Sequence, residues 1–383
     1  MSSVLESEEE SAAAAQLAYD SIPVRNVWFL FLYAYDLARF QGRFAAEIEE
    51  SPDFKSLIAR LLCHAVETRL RRNLSFGYRH REETLKRVRG RIDILQTESR
   101  NLFRRGEIAC RFEELTIDTP RNRLVRAALT VLGGRIHDSA LAHRTSMLSG
   151  ALGRVGVSGA MPSRAEMASD EIGRHEAQDS LMVSLARAVF DLVLPSERKG
   201  FRSLLRAQRG ETEFRKLFER AIANFFAAEL PREEGWRVYP GKHFNWPIGA
   251  ASPGIQIHLP MMVTDIIVEN EQVGRRIIID TKFTKILTRS QFGDSQRFKT
   301  GHIYQLYSYL RSQERESDPR SLISEGILLY PAIGFDMDEV AELQGHLVRF
   351  VTIDLALPSA EVVARLRQLL LLTGLSATMP ERA

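Results

Sequence analysis

The fold is decided by the stretch from Val263 to Lys285, which reads VTDIIVENEQVGRRIIIDTKFTK. Two runs rich in β-branched residues flank a polar turn at residues 270–275, and this order predicts a β-hairpin. The three isoleucines at 277–279 predict that the second strand is covered on both faces. That strand ends in Asp280-Thr281-Lys282, and unpaired charges at the edge of a core are costly. The charged tripeptide therefore needs an explanation.

Two carboxylates and a lysine can converge at the end of this hairpin. Side chains repeat every two residues along a strand, so Asp280 and Lys282 project to the same side. Asp265, near the start of the first strand, can bring a second carboxylate beside Asp280. Hard oxygen ligands with open positions suit Mg²⁺, which would polarise a phosphate and help to generate hydroxide from water. Lys282 could orient or deprotonate that water, or stabilise charge on the phosphorus. The alternative is a surface salt bridge between Lys282 and either carboxylate.

A helix predicted near residues 213–230 adds a candidate third carboxylate. Glu219 borders its apolar stripe and could face the hairpin, where it would complete a metal site with the two aspartates. The alternative is an ordinary boundary glutamate paired with Arg215 or Arg220.

A second predicted helix, near residues 301–312, supplies two polar groups. Gln305 and Tyr309 are four residues apart and share one helix face. Both can hydrogen-bond a phosphate or a metal-bound water, although an aromatic-rich helix of this kind also suits core packing. Together, the hairpin and the two helices predict metal-dependent hydrolysis of a phosphodiester.

The chain of 383 residues exceeds the usual size of one hydrophobic core, so we expect two domains. The alternation of helix and strand patterns predicts an α/β protein. Gly, Ser and Ala accumulate after residue 149, which indicates a linker. The predicted parts are an acidic disordered tail (1–20), a mixed α/β N-terminal domain (21–150), a linker (151–175) and a C-terminal α/β domain (176–383).

Composition excludes several classes of protein. Cys63 and Cys110 are the only cysteines, which rules out a disulfide scaffold and makes a Cys-rich zinc site implausible. No GxxxxGK[ST] motif is present, so any nucleotide-driven step belongs to a partner. The most apolar stretch, 27–37, is too short to span a membrane, and the acidic N-terminus is unlike a signal peptide, so we expect a cytoplasmic protein.

Basic residues are balanced overall but clustered locally. The chain has 52 Lys and Arg against 49 Asp and Glu, a net charge of +3 that permits a nucleic-acid partner without requiring one. Residues 69–91 hold nine Lys and Arg; they could contact DNA, form a solvated loop, or meet an acidic partner, which we favour. Lys285, Arg289, Arg297 and Lys299 lie near Lys282 in sequence and are candidates for holding the scissile strand.

These motifs resemble the PD-(D/E)xK nucleases in their RecB-like form and, more specifically, the McrC family, the nuclease subunits of McrBC-type modification-dependent restriction systems. The resemblance covers roughly residues 22–331, and Thr264 departs from it by standing where the motif name has Pro. The fragments that carry it are Ile22-Pro-Val-Arg-Asn-Val27, Tyr33-Ala-Tyr35, Arg89-Gly-Arg-Ile-Asp93, Cys110-Arg-Phe-Glu-Glu-Leu115, Asp118-Thr-Pro-Arg-Asn-Arg123, Phe218-Glu219, Thr264-Asp265-Ile266, Ile279-Asp-Thr-Lys-Phe283, His302-Ile-Tyr-Gln305 with Tyr309, and Leu329-Tyr-Pro331.

The resemblance implies a PD-(D/E)xK nuclease domain in the second half of the chain and an Mg²⁺-dependent DNA endonuclease activity, with Mn²⁺ as a possible substitute. It also implies a partner, a McrB-like hexameric AAA+ GTPase that recognises modified double-stranded DNA, for example DNA carrying 5-methylcytosine. Residues 21–150 would dock to that ring and stimulate its GTP hydrolysis. Two alternatives stay open: a stand-alone RecB-like nuclease, and a non-catalytic activator of an AAA+ ring.

Overall fold

A computed structural model describes residues 22–40, 44–170, 177–193, 203–252, 254–284, 286–289 and 296–371. The predicted tail (1–20) lies outside these residues. Contacts divide the chain into two compact units. One unit is Glu50–Leu194, and the other joins the residues up to Glu49 with those from Pro195 onward.

Helices and strands alternate through both units, which confirms the predicted α/β class. The helices are α1 (Val24–Ala34), α2 (Ala45–Glu50), α3 (Phe54–Arg72), α4 (Ile94–Ser99), α5 (Pro120–Gly133), α6 (Ser139–Arg154), α7 (Arg164–Ser169), α8 (Ala177–Ala188), α9 (Ser203–Glu229), α10 (Ile255–His258), α11 (Thr300–Ser312), α12 (Pro319–Leu322) and α13 (Ser359–Leu371). The strands are β1 (Gly77–Leu85), β2 (Arg91–Ile92), β3 (Ile108–Thr116), β4 (Trp236–Pro240), β5 (His243–Phe244), β6 (Met262–Val263), β7 (Ile266–Asn270), β8 (Arg275–Thr281), β9 (Leu287–Arg289), β10 (Gln296–Phe298), β11 (Glu325–Ala332), β12 (Asp338–Leu343) and β13 (His346–Asp354).

The larger unit is built on a six-stranded sheet with the order β12-β13-β11-β8-β7-β4. Strand β11 runs parallel to both β8 and β13, and the other neighbours are antiparallel. The predicted hairpin is confirmed as β7 and β8, with Ile266 opposite Ile279. The β8 strand lies inside the sheet, which explains its run of isoleucines.

Both faces of β8 are covered, as the isoleucine run predicts. Successive side chains of a strand point to opposite faces, and Ile277, Ile278 and Ile279 are all buried. On one face Ile278 packs in a cluster with Leu306 and Leu310 of α11. Helix α9 also contacts β8. The charged end of β8 is therefore held between packed layers.

Helix α1 belongs to the larger unit, although it lies near the start of the chain. The Tyr33 ring packs with its centroid 5.1 Å from that of Phe225 on α9. Asn26 is fully buried, and its Nδ2 donates hydrogen bonds of 2.7 Å to the carbonyls of Leu355 and Leu357. These contacts correct the predicted N-terminal domain (21–150), because an apolar helix can pack against residues that are distant in sequence.

The predicted linker (151–175) is also corrected. Its described part contains the end of α6 and the whole of α7, and it falls inside the unit Glu50–Leu194. Asp170 accepts hydrogen bonds from the backbone and the guanidinium of the buried Arg121. Leu152 and Val157 are buried. The segment is therefore folded into its unit, and composition alone does not distinguish such a segment from a linker.

Several fragments of the family resemblance have structural roles in this smaller unit. Gly90 adopts φ +69°, and a Cβ there would lie 2.4 Å from the carbonyl oxygen of Arg111, so only glycine fits. Thr119 caps α5, and the buried Asn122 donates to the carbonyls of Ser75 and Ile117. These residues hold turns together and need no catalytic explanation.

The small sheet of the smaller unit has the order β1-β3-β2. Strand β3 pairs along its whole length with β1, and β2 pairs with Arg111 and Cys110 of β3. The middle of β1 is exposed and rich in charges, so it lacks the apolar alternation of a half-buried strand.

The basic stretch (69–91) is partly neutralised within its own unit. Arg69 Nε lies 2.7 Å from the buried Asp179, and Arg81 Nε lies 2.8 Å from Glu114. Arg89 also approaches Glu114, at 3.8 Å. Internal pairing therefore accounts for part of this cluster, and its contact with DNA or a partner stays a prediction.

Both cysteines are free and buried. Burial raises the pKa of the Cys63 thiol to about 12, which makes it unreactive. None of the helices in the described ranges is long and apolar enough to cross a membrane.

We expect Asn26→Ala to lower the free energy of unfolding by about 2–4 kcal/mol, because it removes the side-chain donor to the carbonyls of Leu355 and Leu357, the first of which is buried. Urea unfolding followed by tryptophan fluorescence and circular dichroism measures the change. The matched control is Arg25→Ala, which removes a 3.2 Å exposed hydrogen bond to Ala356 and should stay within about 0.5 kcal/mol. Equal effects of the two substitutions would contradict the assigned role of α1.

Candidate active site

The site is built around Asp280, the penultimate residue of β8. Its side chain is fully buried, at 0% exposure, on the same strand face as Ile278. Lys282 Nζ lies 2.7 Å from Asp280 Oδ2. Asp280 Oδ1 has no hydrogen-bond partner within the described ranges. A buried carboxylate with an unpaired oxygen is an uncommon and costly arrangement in a folded protein.

Asp265 stands directly across the hairpin. The last residue pair of the β7–β8 ladder joins Ile266 to Ile279, so Asp265 and Asp280 are the next residues beyond that pair, and the charge of Asp265 acts on Asp280. Asp265 Oδ2 accepts hydrogen bonds from Thr281 N at 2.7 Å and Thr281 Oγ1 at 2.9 Å. These two donors fix the carboxylate beside the end of β8. The structure thus brings together the two aspartates that the sequence predicted to converge.

Thr264, where the motif name has Pro, has a backbone role that proline could not fill. Its N–H donates to the carbonyl of Lys242 at 3.1 Å, and proline lacks that hydrogen. The hydrogen bond anchors the residue immediately before Asp265. This departure from the motif therefore leaves the placement of the carboxylate intact.

A chain of hydrogen bonds positions Lys282. Its Nζ donates to Gln305 Oε1 at 2.7 Å, and Gln305 Nε2 donates to Tyr309 Oη at 2.8 Å. Tyr309 Oη in turn donates to the carbonyl of Val263 at 2.7 Å, two residues before Asp265. The Gln305 and Tyr309 pair on α11 thus links the lysine to the other strand of the hairpin. Both residues lie on the helix that the sequence predicted near residues 301–312, four residues apart on one face.

Glu219 on α9 is electrostatically coupled to the two aspartates. Burial, followed by the charge of Asp265, raises the pKa of Glu219 to about 7, and Asp280 adds to the shift. Burial likewise raises the pKa of Asp280 to about 7, with Asp265 contributing and Lys282 opposing. Glu219 and Asp280 therefore resist ionisation in the field of the Asp265 charge, and this indicates a place for a cation.

The carboxylates fit a magnesium site in which the protein supplies few ligands and water supplies the others. Among the described residues no three His, Cys, Asp or Glu side chains lie close enough to form a complete metal cage. Mg²⁺ is usually held by one or two carboxylates and keeps several waters, so Asp265 and the unpaired oxygen of Asp280 would suffice. Direct ligation by Glu219 stays a prediction.

Three residues near the site were not singled out for it by sequence. Thr281 fixes Asp265, and His302 Nδ1 lies 2.9 Å from Tyr330 Oη. The burial of His302, together with the charges of Lys282 and Lys299, lowers its pKa to about 4. Spacing could have revealed His302, because it precedes Gln305 by three residues on the same helix face. Tyr330 comes from β11 and has no such spacing; its signal is the Leu329-Tyr-Pro331 fragment of the family resemblance.

The predicted DNA-binding residues are only partly described. Arg297 is exposed on β10, and Lys299 Nζ donates to Thr284 Oγ1. Arg289 ends β9, which pairs with β10, but its side chain lies outside the description, as does the whole of Lys285. Their contact with DNA stays a prediction.

The raised pKa of Asp280 predicts an unusual pH dependence of stability. The folded protein holds this proton more tightly than the unfolded chain, whose aspartates titrate near 3.9. The stabilising contribution is therefore present below pH 4 and lost as the pH rises to about 7. In EDTA we expect Asp280→Asn to be more stable than the unaltered protein at pH 8, by on the order of 2 kcal/mol, and equally stable at pH 4.

Denaturant unfolding at the two pH values measures this difference. The matched control is Asp318→Asn, because Asp318 pairs with Arg276 at 2.7 Å and Arg320 at 2.9 Å. Loss of those pairs should bring no gain at pH 8. If Asp280→Asn were destabilised at pH 8 as much as the control, burial would not be opposing the ionisation of Asp280.

A family profile described as "McrBC 5-methylcytosine restriction system component" matches residues 27–331. The "Type IV methyl-directed restriction enzyme EcoKMcrBC" of Escherichia coli strain K12 is 22% identical over 340 residues, which are 87% of this chain and 93% of that protein.

Two solved structures from Thermococcus gammatolerans are similar at low identity. One is a refined half-complex from a tetradecameric assembly of McrB AAA+ hexamers with bound McrC, with a TM-score of 0.47, 14% identity, and coverage of 91% of this chain and 75% of that chain. The other is a cryo-EM structure of the McrBC complex, with a TM-score of 0.34, 16% identity, and coverage of 53% and 59%. The profile match spans well over half of the sequence, and the chain therefore belongs to the family of McrBC 5-methylcytosine restriction system components.

Proposed function

We propose that this chain is the endonuclease subunit of a McrBC-like restriction system and cleaves modified double-stranded DNA by Mg²⁺-dependent hydrolysis of a phosphodiester. The observation that carries the proposal is the buried Asp280, which faces Asp265 across the hairpin and Lys282 along its own strand. The PD-(D/E)xK pattern needs two carboxylates and a lysine at the end of a hairpin. Family membership supports a role in restriction.

The metal would be held by Asp265 and Asp280, with Glu219 nearby as a further carboxylate. When bound, Mg²⁺ supplies positive charge that polarises the phosphate and makes a bound water more acidic. Asp280, whose pKa burial raises to about 7, would be held in its ionised form by such a cation. The donor set consists of hard oxygen atoms, which suit Mg²⁺ and also Mn²⁺.

Lys282 would act on the attacking water and on the charge that develops at phosphorus. Its ammonium group lies between Asp280 and Gln305, and this arrangement restricts the direction in which it can donate. Fixed donors of this kind stabilise a transition state without needing to reorient. Gln305 and Tyr309 would keep the lysine at that position, since their hydrogen bonds run on to Val263.

The proposed partner is a McrB-like AAA+ GTPase that recognises the modification and supplies the nucleotide-driven step. The chain has no P-loop motif of its own, which supports dependence on a partner. A relative that carries both components in its name, the E. coli enzyme, aligns over most of this chain. We propose that residues 50–170, within the smaller unit, provide the docking surface for the ring.

We expect Asp280→Ala and Lys282→Ala each to reduce cleavage of a 5-methylcytosine-containing duplex by at least about 100-fold, in the presence of the partner GTPase, GTP and Mg²⁺. Both variants should fold and bind the partner, and they should still stimulate GTP hydrolysis. Gel assays of DNA cleavage and phosphate-release assays of GTP hydrolysis measure the two activities. Asp318→Asn serves as the control, and its cleavage rate should be unchanged.

The same assays separate the proposal from its alternatives. Undiminished cutting by Asp280→Ala would refute the assigned site. A stand-alone nuclease predicts that the lone chain degrades linear and circular DNA with Mg²⁺, whereas the proposed subunit should be nearly inert without its partner. A purely activating subunit predicts that Asp280→Ala retains the full biological effect.

Metal binding has a readout that does not depend on cleavage. At pH 7.5, Mg²⁺ at ten times its dissociation constant should stabilise the unaltered protein by about 1.4 kcal/mol, seen as a rise in Tm. We expect Asp265→Asn and Asp280→Asn to abolish this rise, while Asp318→Asn keeps it. An equal response in all four proteins would place the metal somewhere else.

A further inference from the structure

His302 occupies the first turn of α11, beside the proposed lysine. It lies three residues before Gln305 and seven before Tyr309, so the three side chains share one helix face. Lys282 reaches the same face through its hydrogen bond to Gln305. The imidazole is half-buried, and its Nδ1 lies 2.9 Å from Tyr330 Oη.

The contact with Tyr330 determines which ring nitrogen carries the proton. Tyr330 is 1% exposed, and His302 Nδ1 is the only hydrogen-bond partner of its hydroxyl within the described ranges. If Nδ1 carried a hydrogen, the phenolic hydrogen would be buried without an acceptor, which is costly. Tyr330 therefore donates to Nδ1. A neutral ring with an unprotonated Nδ1 carries its hydrogen on Nε2.

The surroundings of His302 favour the neutral ring and an anionic ligand. Burial, then the positive charges of Lys282 and Lys299, lowers the pKa of His302 to about 4. Within the described ranges Nε2 has no hydrogen-bond partner in the protein. A metal ion requires a lone pair, and Nε2–H has none to offer, so this atom can only donate.

We propose that His302 is a DNA-binding residue that donates its Nε2–H to a backbone phosphate oxygen of the strand at the site, and that Tyr330 is the positioning residue that holds the imidazole in this tautomer. Phosphate oxygens accept hydrogen bonds, and two neighbouring lysines add attraction for their charge. The inference rests on the proposed nuclease function and names a contact of the same site.

Nuclear magnetic resonance of the free full-length protein tests the tautomer directly. Long-range ¹H–¹⁵N spectra distinguish the two ring nitrogens, and the signals that disappear in His302→Gln identify the residue. At pH 7 we expect a neutral ring protonated on Nε2. In Tyr330→Phe the preference for this tautomer should weaken. A ring protonated on Nδ1, or on both nitrogens, in the unaltered protein would overturn the proposal even if the tyrosine variant failed to fold.

Binding of DNA tests the contact itself. In a non-cleaving Asp280→Asn background with the partner present, His302→Gln retains an amide donor near the Nε2 position, whereas His302→Asn places its amide near Nδ1. We expect His302→Gln to bind a labelled 5-methylcytosine duplex within about threefold of its parent and His302→Asn to bind it about tenfold more weakly. Equal affinity of the two variants would overturn the assigned contact.

The control is Tyr304→Phe, which alters an exposed side chain on the same helix and should leave affinity unchanged.

The outcomes separate an incorrect role for His302 from an incorrect nuclease function. If Asp280→Ala abolishes cleavage but His302→Asn and His302→Gln bind equally, only the role of His302 falls. If the unaltered protein with its partner and Mg²⁺ cuts no modified DNA, the nuclease function itself falls.

Discussion

The site depends on the cost of holding the Asp280 carboxylate inside the protein. The strand that carries it is covered on both faces, so neither oxygen reaches water, and burial raises its pKa to about 7. Lys282 compensates one oxygen, while Asp265 and Glu219 add negative charge to the same region. A cation would stabilise the ionised forms of Asp280 and Glu219, which burial disfavours. The need for a cation therefore follows from how the site is packed, and no single residue creates it.

The same constraint explains why helix α11, which is not part of the hairpin, matters for the chemistry of the hairpin. The ammonium of Lys282 is a flexible point charge, and a salt bridge alone would leave its direction open. Gln305 and Tyr309 remove that freedom by connecting the lysine to the carbonyl of Val263. Helix α11 is in turn fixed by apolar packing on the sheet, so the position of a catalytic charge rests on core contacts. Precise placement of this kind is what distinguishes a site from a surface ion pair.

Many residues of the family pattern maintain the fold rather than the chemistry. Asn26 joins α1 to the segment after β13, Gly90 permits a turn that no other residue fits, and Asn122 satisfies buried carbonyls beside α5. Asn26 and Asn122 supply partners to backbone carbonyls, and Gly90 supplies a backbone conformation that a Cβ would obstruct. Such residues identify a family as clearly as catalytic ones do, and only their surroundings in the structure separate the two roles.

The amino-acid sequence by itself determined the α/β class, through the alternation of helix and strand patterns. It also determined the hairpin and the convergence of Asp265, Asp280 and Lys282, because these follow from the two-residue period of strands over a short separation. It also placed Gln305 and Tyr309 on one helix face. Only the tertiary structure decided that α1 packs with the C-terminal residues, that the supposed linker is part of a folded unit, and that Tyr330 meets His302. Those contacts join residues far apart in the chain, such as Asn26 and Leu355, and no local periodicity encodes a pairing across that distance.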